Sequence, residues 1–265
     1  MSQNYSKFAD GSASDGLDVK KPKFNLWMLL IFPAWVTVSF FVSQIVVSGL
    51  IWCLEAANVP FRSFNQAVLG TSITALVYAM TLFLVIMLPW LVKKIRTTWS
   101  EIGITRLPKW TDIIMMPAGL IIYLIFSSLL IIMATQVFPW FNVNQAQDIG
   151  FRQLGQTYEY ILAFATLVVF VPIVEEILFR GYLYGKLKKF VPIWVAILAT
   201  SILFGAIHGA WNLAFDTFAL SIVLCLVREF TDDSIWASIL LHMAKNGIAF
   251  YILFIYPSLL TTLVK

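Results

Sequence analysis

The feature that most constrains this chain is a succession of long apolar runs separated by short polar segments. A hydrocarbon core about 30 Å thick takes roughly 20 helical residues to cross, and backbone polar groups inside it must be satisfied within the segment itself. Runs at 26–54, 67–92, 113–138, 158–189, 192–210, 213–230 and 235–262 reach or approach that length. They predict an all-α, polytopic transmembrane helix bundle of about seven spans; the last run is long enough to break in two, which allows eight. Charged residues make up 12% of the chain, against about a quarter in soluble globular proteins. That leaves too little charge to coat a water-facing surface, so a soluble domain is excluded.

Residues 1–23 differ from the rest: they are polar, rich in Ser, Gly, Asp and Lys, and read as a disordered cytoplasmic tail ending in a basic anchor. The apolar stretch that follows is too long for a signal peptide and lacks a small-residue cleavage site. Beyond the tail, residues 24–157 are expected to form N-terminal transmembrane helices with an amphipathic loop. Residues 158–265 are expected to form a second helix bundle, which holds most of the polar residues inside spans. With the N-terminus inside, the inner segments collect Lys7, Lys20, Lys21, Lys23, Lys93, Lys94, Arg96, Arg106, Lys109, Arg180, Lys186, Lys188, Lys189 and Arg228. The outer segments hold only Arg62, Arg152 and Lys265. This asymmetry predicts a multi-pass protein of the cell membrane with a cytoplasmic N-terminus. The segment at 97–112 is amphipathic and is expected to lie on the inner surface. Trp90, Trp140, Trp194, Trp211 and Trp236 fall near span ends, as an interfacial belt requires. The net charge of +4 is too small and too dispersed for nucleic acid. Cys53 and Cys225 sit in apolar runs without a CxxC pattern, which indicates neither a disulfide framework nor a thiolate zinc site.

An ionisable residue inside a span is costly and marks a functional site by default. Such residues cluster in the second half of the chain. Glu175 and Glu176 are adjacent, and Arg180 stands four residues after Glu176, on the same helical face. The Glu176–Arg180 pair cancels one carboxylate. Glu175 lies about 100° around the helix and has no intrahelical cation. Pro172 is expected to free the carbonyl of Val168. Both histidines of the chain, His208 and His242, fall in or at the edge of apolar runs, and His242 shares a face with Asn246. Lys245 lies near that face, placed to snorkel or to pair with an acid. The midpoint between Glu175 and His208 falls at the polar KKFVPIW segment. A reversal there puts the two at one depth on neighbouring helices. His242 reaches that depth only if the intervening helices are tilted or short.

These residues fall into three motifs: EEILFR at 175–180, FGAIH at 204–208 and HMAKN at 242–246. In this order and spacing they resemble the CPBP, or Abi, family of CAAX-processing and bacteriocin-processing intramembrane proteases, over about residues 158–255. The resemblance implies an endopeptidase acting on membrane-associated proteins or peptides. By that resemblance Glu175 and His208 activate the attacking water. His242 and Asn246 stabilise the oxyanion or help to bind a metal, and Glu176 and Arg180 position the site. Lys245 inside the last motif departs from the family pattern.

Two mechanisms are open. A desolvated glutamate suits general-base work near neutral pH, with amide and imidazole donors for the oxyanion. Alternatively, Glu175, His208 and His242 form a His₂Glu set for one divalent metal, zinc by donor type, although no HExxH helix is present. Two other classes compete with the protease reading: a proton-coupled transporter using the same intramembrane charges, and a non-catalytic bacteriocin-immunity or membrane regulatory protein.

Overall fold

The computed structural model describes residues 24–143, 145 and 154–258. The expected tail at 1–23, Arg152 and Lys265 lie outside the described residues. Among those described, all regular structure is helical. The helices are α1 (Met28–Ala56), α2 (Gln66–Lys93), α3 (Trp99–Ile102), α4 (Trp110–Val137), α5 (Thr157–Leu187), α6 (Ile193–Ala206), α7 (Trp211–Phe230) and α8 (Trp236–Ile255). Each of the seven apolar runs is a helix, and α1, α2, α4, α5 and α8 are long and apolar enough to cross a membrane. The chain is a multi-pass membrane protein. With 14 residues, α6 is about 21 Å long, short of a hydrocarbon core. It pairs with α7, which carries Asp216, Arg228 and Glu229, as a hairpin packed among the longer helices. The last run continues as one helix to Ile255 without a break.

Local chemistry sets the boundaries. The Asn65 side chain accepts from the amides of Ala67 and Val68 and starts α2. Thr98 and Glu101 form a reciprocal capping box around α3, and Gly103 closes it at φ 91°. The reversal expected near 191–192 is present: α5 ends at Leu187, and Pro192 precedes the first residue of α6. Burial concentrates in α5, α6 and α7, around Leu183, Phe204, Leu220 and Leu224. By contrast, α1 and α4 present apolar side chains outward, Ile45, Trp52, Ile121 and Ile125 among them. That is the pattern of lipid-facing spans.

One end of the bundle gathers the basic residues. The α1 segment enters there, with the Asn25 amide donating to the Phe190 carbonyl. The amphipathic 97–112 segment docks at the same end through α3. Gly181 and Gly185, four apart on α5, form a notch for it: a Cβ on Gly185 would stand 2.9 Å from the Glu101 carbonyl oxygen, and one on Gly181 would stand 2.7 Å from the Ile102 side chain. Small residues at this spacing let backbones approach closely. Lys186 and Lys189 then close on the two Glu101 carboxylate oxygens at 2.9 and 2.8 Å. Burial alone would raise the Glu101 carboxyl, but hydrogen bonds from Lys189, Lys186 and the Thr98 amide outweigh it and hold the group at about 2.

Two outcomes follow for the α3 clamp. Gly185→Ala is expected to lower stability by about 1–3 kcal/mol in thermal unfolding in detergent. Gly49→Ala, which meets nothing within 4 Å, is expected to be close to neutral. Because the Glu101 carboxyl is depressed in the fold, its stabilisation is complete above the ordinary value of 4.5 and fades as pH falls toward about 2. A pH series of melting temperatures for the wild type against Glu101→Gln reads that loss directly.

Candidate active site

Helix α5 departs from α-helical register twice, in π turns at Ala165–Phe170 and Glu176–Tyr184. Between them lies Pro172, which has no N–H to donate. The carbonyl that takes a side-chain donor at this break is Leu167, where the sequence pointed to Val168. In a π register the hydrogen bonds span five residues, so Leu167 is the position Pro172 would otherwise serve. The Asn246 amide fills it at 3.0 Å and ties α8 to α5.

Glu176 and Arg180 form a wholly enclosed ion pair at 3.0 Å, both side chains 0% exposed. The carboxylate oxygen that accepts from Arg180 also accepts from His242 Nδ1 at 2.8 Å. The guanidinium carbon lies 4.4 Å from the centroid of the Phe204 ring, a cation–π contact without competing water. The same ring meets His208 and His242 edge-on, at centroid distances of 4.9 and 5.9 Å. Phe204 is therefore the packing hub of all three motifs.

Glu175 turns away from that pair, as the 100° step predicts, and lines a cavity of about 680 Å³. One of its oxygens accepts from the Tyr78 hydroxyl of α2 at 2.5 Å. The other stands 3.5 Å from His242 Nε2, so His242 bridges the two adjacent carboxylates. His208 lines the same cavity, and its Nδ1 donates to the Phe204 carbonyl at 2.6 Å. In the neutral ring that bond leaves Nε2 as an acceptor. The depth problem of His242 is solved by the short hairpin. Ser238 donates to the Leu224 carbonyl at 3.0 Å, which puts His242 level with about residue 220 of α7. Phe204, on the short α6, spans the remaining offset between the two imidazoles.

Thus Glu175, His208, His242 and Asn246 line one cavity, with Glu176 and Arg180 buried directly behind. It lies twelve residues along α5 from the basic end, counting from Glu175 to Leu187. The sequence missed Tyr78, because a tyrosine inside an apolar helix carries no signal of its own. It also left the partner of Lys245 unnamed. Lys245 pairs with Asp216 at 3.4 Å, and Asp216 in turn accepts from Tyr123 and Ser127 of α4, both at 2.6 Å. The cavity wall is not confined to the second half of the chain, since Phe40 and Gln44 of α1 and Gln66 and Tyr78 of α2 contribute to it.

The donor types of Glu175, His208 and His242 match a His₂Glu zinc site, and the Nδ1 bonds of both imidazoles resemble those of metal-binding histidines. Their spacing does not match: among the described residues no three His, Cys, Asp or Glu side chains stand close enough together to hold an ion.

Residues 157–248 match the family model described as type II CAAX prenyl endopeptidase Rce1-like. The matched segment contains every motif residue named above and runs from the start of α5 into α8. It agrees with the CPBP resemblance over these residues, in a chain that is a multi-pass membrane protein. Comparison with curated proteins and with solved structures found no match.

Removing Arg180 strands the Glu176 carboxylate in a site with no solvent. Arg180→Met is expected to cost about 3–5 kcal/mol, read as a fall in unfolding midpoint in detergent. Tyr78→Phe removes one hydroxyl from a charged acceptor and is expected to cost only about 1.5–3 kcal/mol.

Proposed function

We propose that this protein is an intramembrane endopeptidase that hydrolyses peptide bonds of membrane-associated proteins or peptides, in the manner of a CAAX prenyl protease, by a glutamate-activated water. The observation that carries the reading is the convergence of Glu175, His208 and His242 on one cavity, at mid-depth of a helix bundle, within the segment that matches the family model.

The chemistry follows from the donors and acceptors. A water in the cavity lies between the Glu175 carboxylate and His208 Nε2, both acceptors. Tyr78 holds one carboxylate oxygen; the other, 3.5 Å from His242 Nε2 and so not closed off by a short hydrogen bond, is left to the water. Glu175 takes the proton as the oxygen attacks the scissile carbonyl, and returns it to the leaving nitrogen as the C–N bond breaks. His242 is fixed by Glu176 through Nδ1, and when Nε2 is also protonated it presents an N–H to the developing oxyanion. Asn246 uses one amide hydrogen on Leu167 and has a second for the same purpose. Glu176 and Arg180 act from behind, holding the imidazole. The basic end of the bundle, which α1 also enters, supports placing that end and the N-terminus in the cytoplasm; the cell membrane is the proposed location.

The test is cleavage of a fluorogenic membrane-embedded peptide by purified protein in micelles. Glu175→Ala and His208→Ala are each expected to lower kcat/KM at least about 100-fold; because Glu175→Ala also strands the Tyr78 hydroxyl, each variant is assayed well below its own unfolding midpoint. Full activity in Glu175→Ala would end the assignment. Activity that survives a strong chelator, in protein shown by elemental analysis to be free of zinc, would establish the metal-free route; loss on chelation and recovery with zinc would establish the metal route.

A further inference from the structure

Lys245 is the one cationic side chain, histidines aside, among the described residues lining the cavity. It stands one helical turn after His242, and the rest of the wall is mostly apolar. A lysine inside a membrane protein is expensive unless it is paired or has a ligand. Its pair is Asp216, but the contact is 3.4 Å, longer than the roughly 2.7–2.9 Å of a charge-assisted hydrogen bond. The ammonium has three donors to place.

Asp216 does not depend on Lys245. One of its oxygens already accepts two hydrogen bonds at 2.6 Å, from Tyr123 and Ser127. The carboxylate therefore stays satisfied if the ammonium leans into the cavity. This is a cation on a sprung mount: anchored by charge, not locked by geometry, and beside the reacting groups. Glu175, which lines the same cavity, repels anions and would steer one toward Lys245.

We propose that Lys245, seated on Asp216, is a specificity-determining residue that binds a carboxylate of the peptide substrate near the scissile bond. The inference rests on the endopeptidase reading for the word substrate, but not for the anion site itself. Lys245 lies three residues from His242, about 4.5 Å along the helix axis. An extended peptide covers that in one to two residues at roughly 3.3–3.6 Å each. The carboxylate thus belongs within about two residues of the bond that is cut. It can be the α-carboxylate at the end of a short leaving segment or an acidic side chain in mid-peptide.

The experiment uses one apolar membrane peptide made in three forms: C-terminal acid, C-terminal amide, and C-terminal amide with a glutamate two residues past the bond cleaved. Two readouts are taken: kcat/KM with the wild type, and binding to Glu175→Gln protein by fluorescence anisotropy. A carboxylate form is expected to be preferred over the plain amide by about tenfold or more, as a charged hydrogen bond warrants. Which form is preferred identifies the source of the carboxylate. Lys245→Met should bring the ratio close to one, and Lys245→Arg should retain most of it. If Lys245→Met does not fold, the double variant Lys245→Met/Asp216→Asn removes both charges and should lose the preference in the same way.

Equal handling of all three peptides by the wild type would overturn the proposal, as would an undiminished preference in the methionine variant. Carboxylate-selective binding without hydrolysis would uphold the anion site and sink the endopeptidase reading. Hydrolysis without selectivity would do the reverse, and failure to bind or cut any form would sink both.

Discussion

A carboxylate and a guanidinium enclosed together, with neither solvent nor lipid in reach, hold the centre of this protein. Taking either charge alone out of water costs several kcal/mol, so Glu176 and Arg180 can be where they are only as a pair. The pair then dictates its surroundings. The Phe204 ring packs on the guanidinium, and His242 donates to the remaining capacity of the same carboxylate oxygen. Three helices, α5, α6 and α8, are thereby fixed relative to one another by contacts around one ion pair. Glu175, the next residue, is released from structural duty and faces the cavity.

A second tier of polar contacts supports the cavity from outside the motif helices. Tyr78 reaches from α2 to Glu175, and Tyr123 and Ser127 reach from α4 to Asp216. Each is a neutral hydroxyl that an apolar helix carries at low cost, and each spends its hydrogen on a carboxylate of the other half of the chain. The walls of α1 and α2 are therefore part of the site even though they supply none of its charged residues.

Much of this was legible in the sequence, and the reasons are physical. Apolar runs of membrane-spanning length have few alternatives to helix, and a Lys-Lys-Phe-Val-Pro segment between two of them is a strong signal for reversal. Counting equal rises from that turn brought Glu175 and His208 to one depth. The adjacent glutamates with an arginine four residues on identified a structural carboxylate and an available one. The count failed at Leu167, because it assumed four-residue hydrogen bonding where α5 is π-helical. The depth of His242 was open for a different reason: the lengths of α6 and α7 are set by packing between helices, which hydropathy does not report. Tyr78 was invisible because its partner is 97 residues away. Lys245, conspicuous as a departure from the family pattern, found its acid in Asp216, as one of the two expected outcomes.

The two π turns of α5 impose a further condition on the chain. Each is in effect one residue more than an α-helix needs over the same rise. Removing such a residue would close the wide turn back to ordinary winding, whereas a deletion from the α-helical stretch between the two turns would swing everything beyond it by about 100°. Between residues 171 and 174 a deletion of any single amino acid therefore carries Glu175 and Arg180 together off their bearing, whatever its side chain. The lipid-facing positions of this helix carry no such condition: what matters there is that a residue is present, not which one.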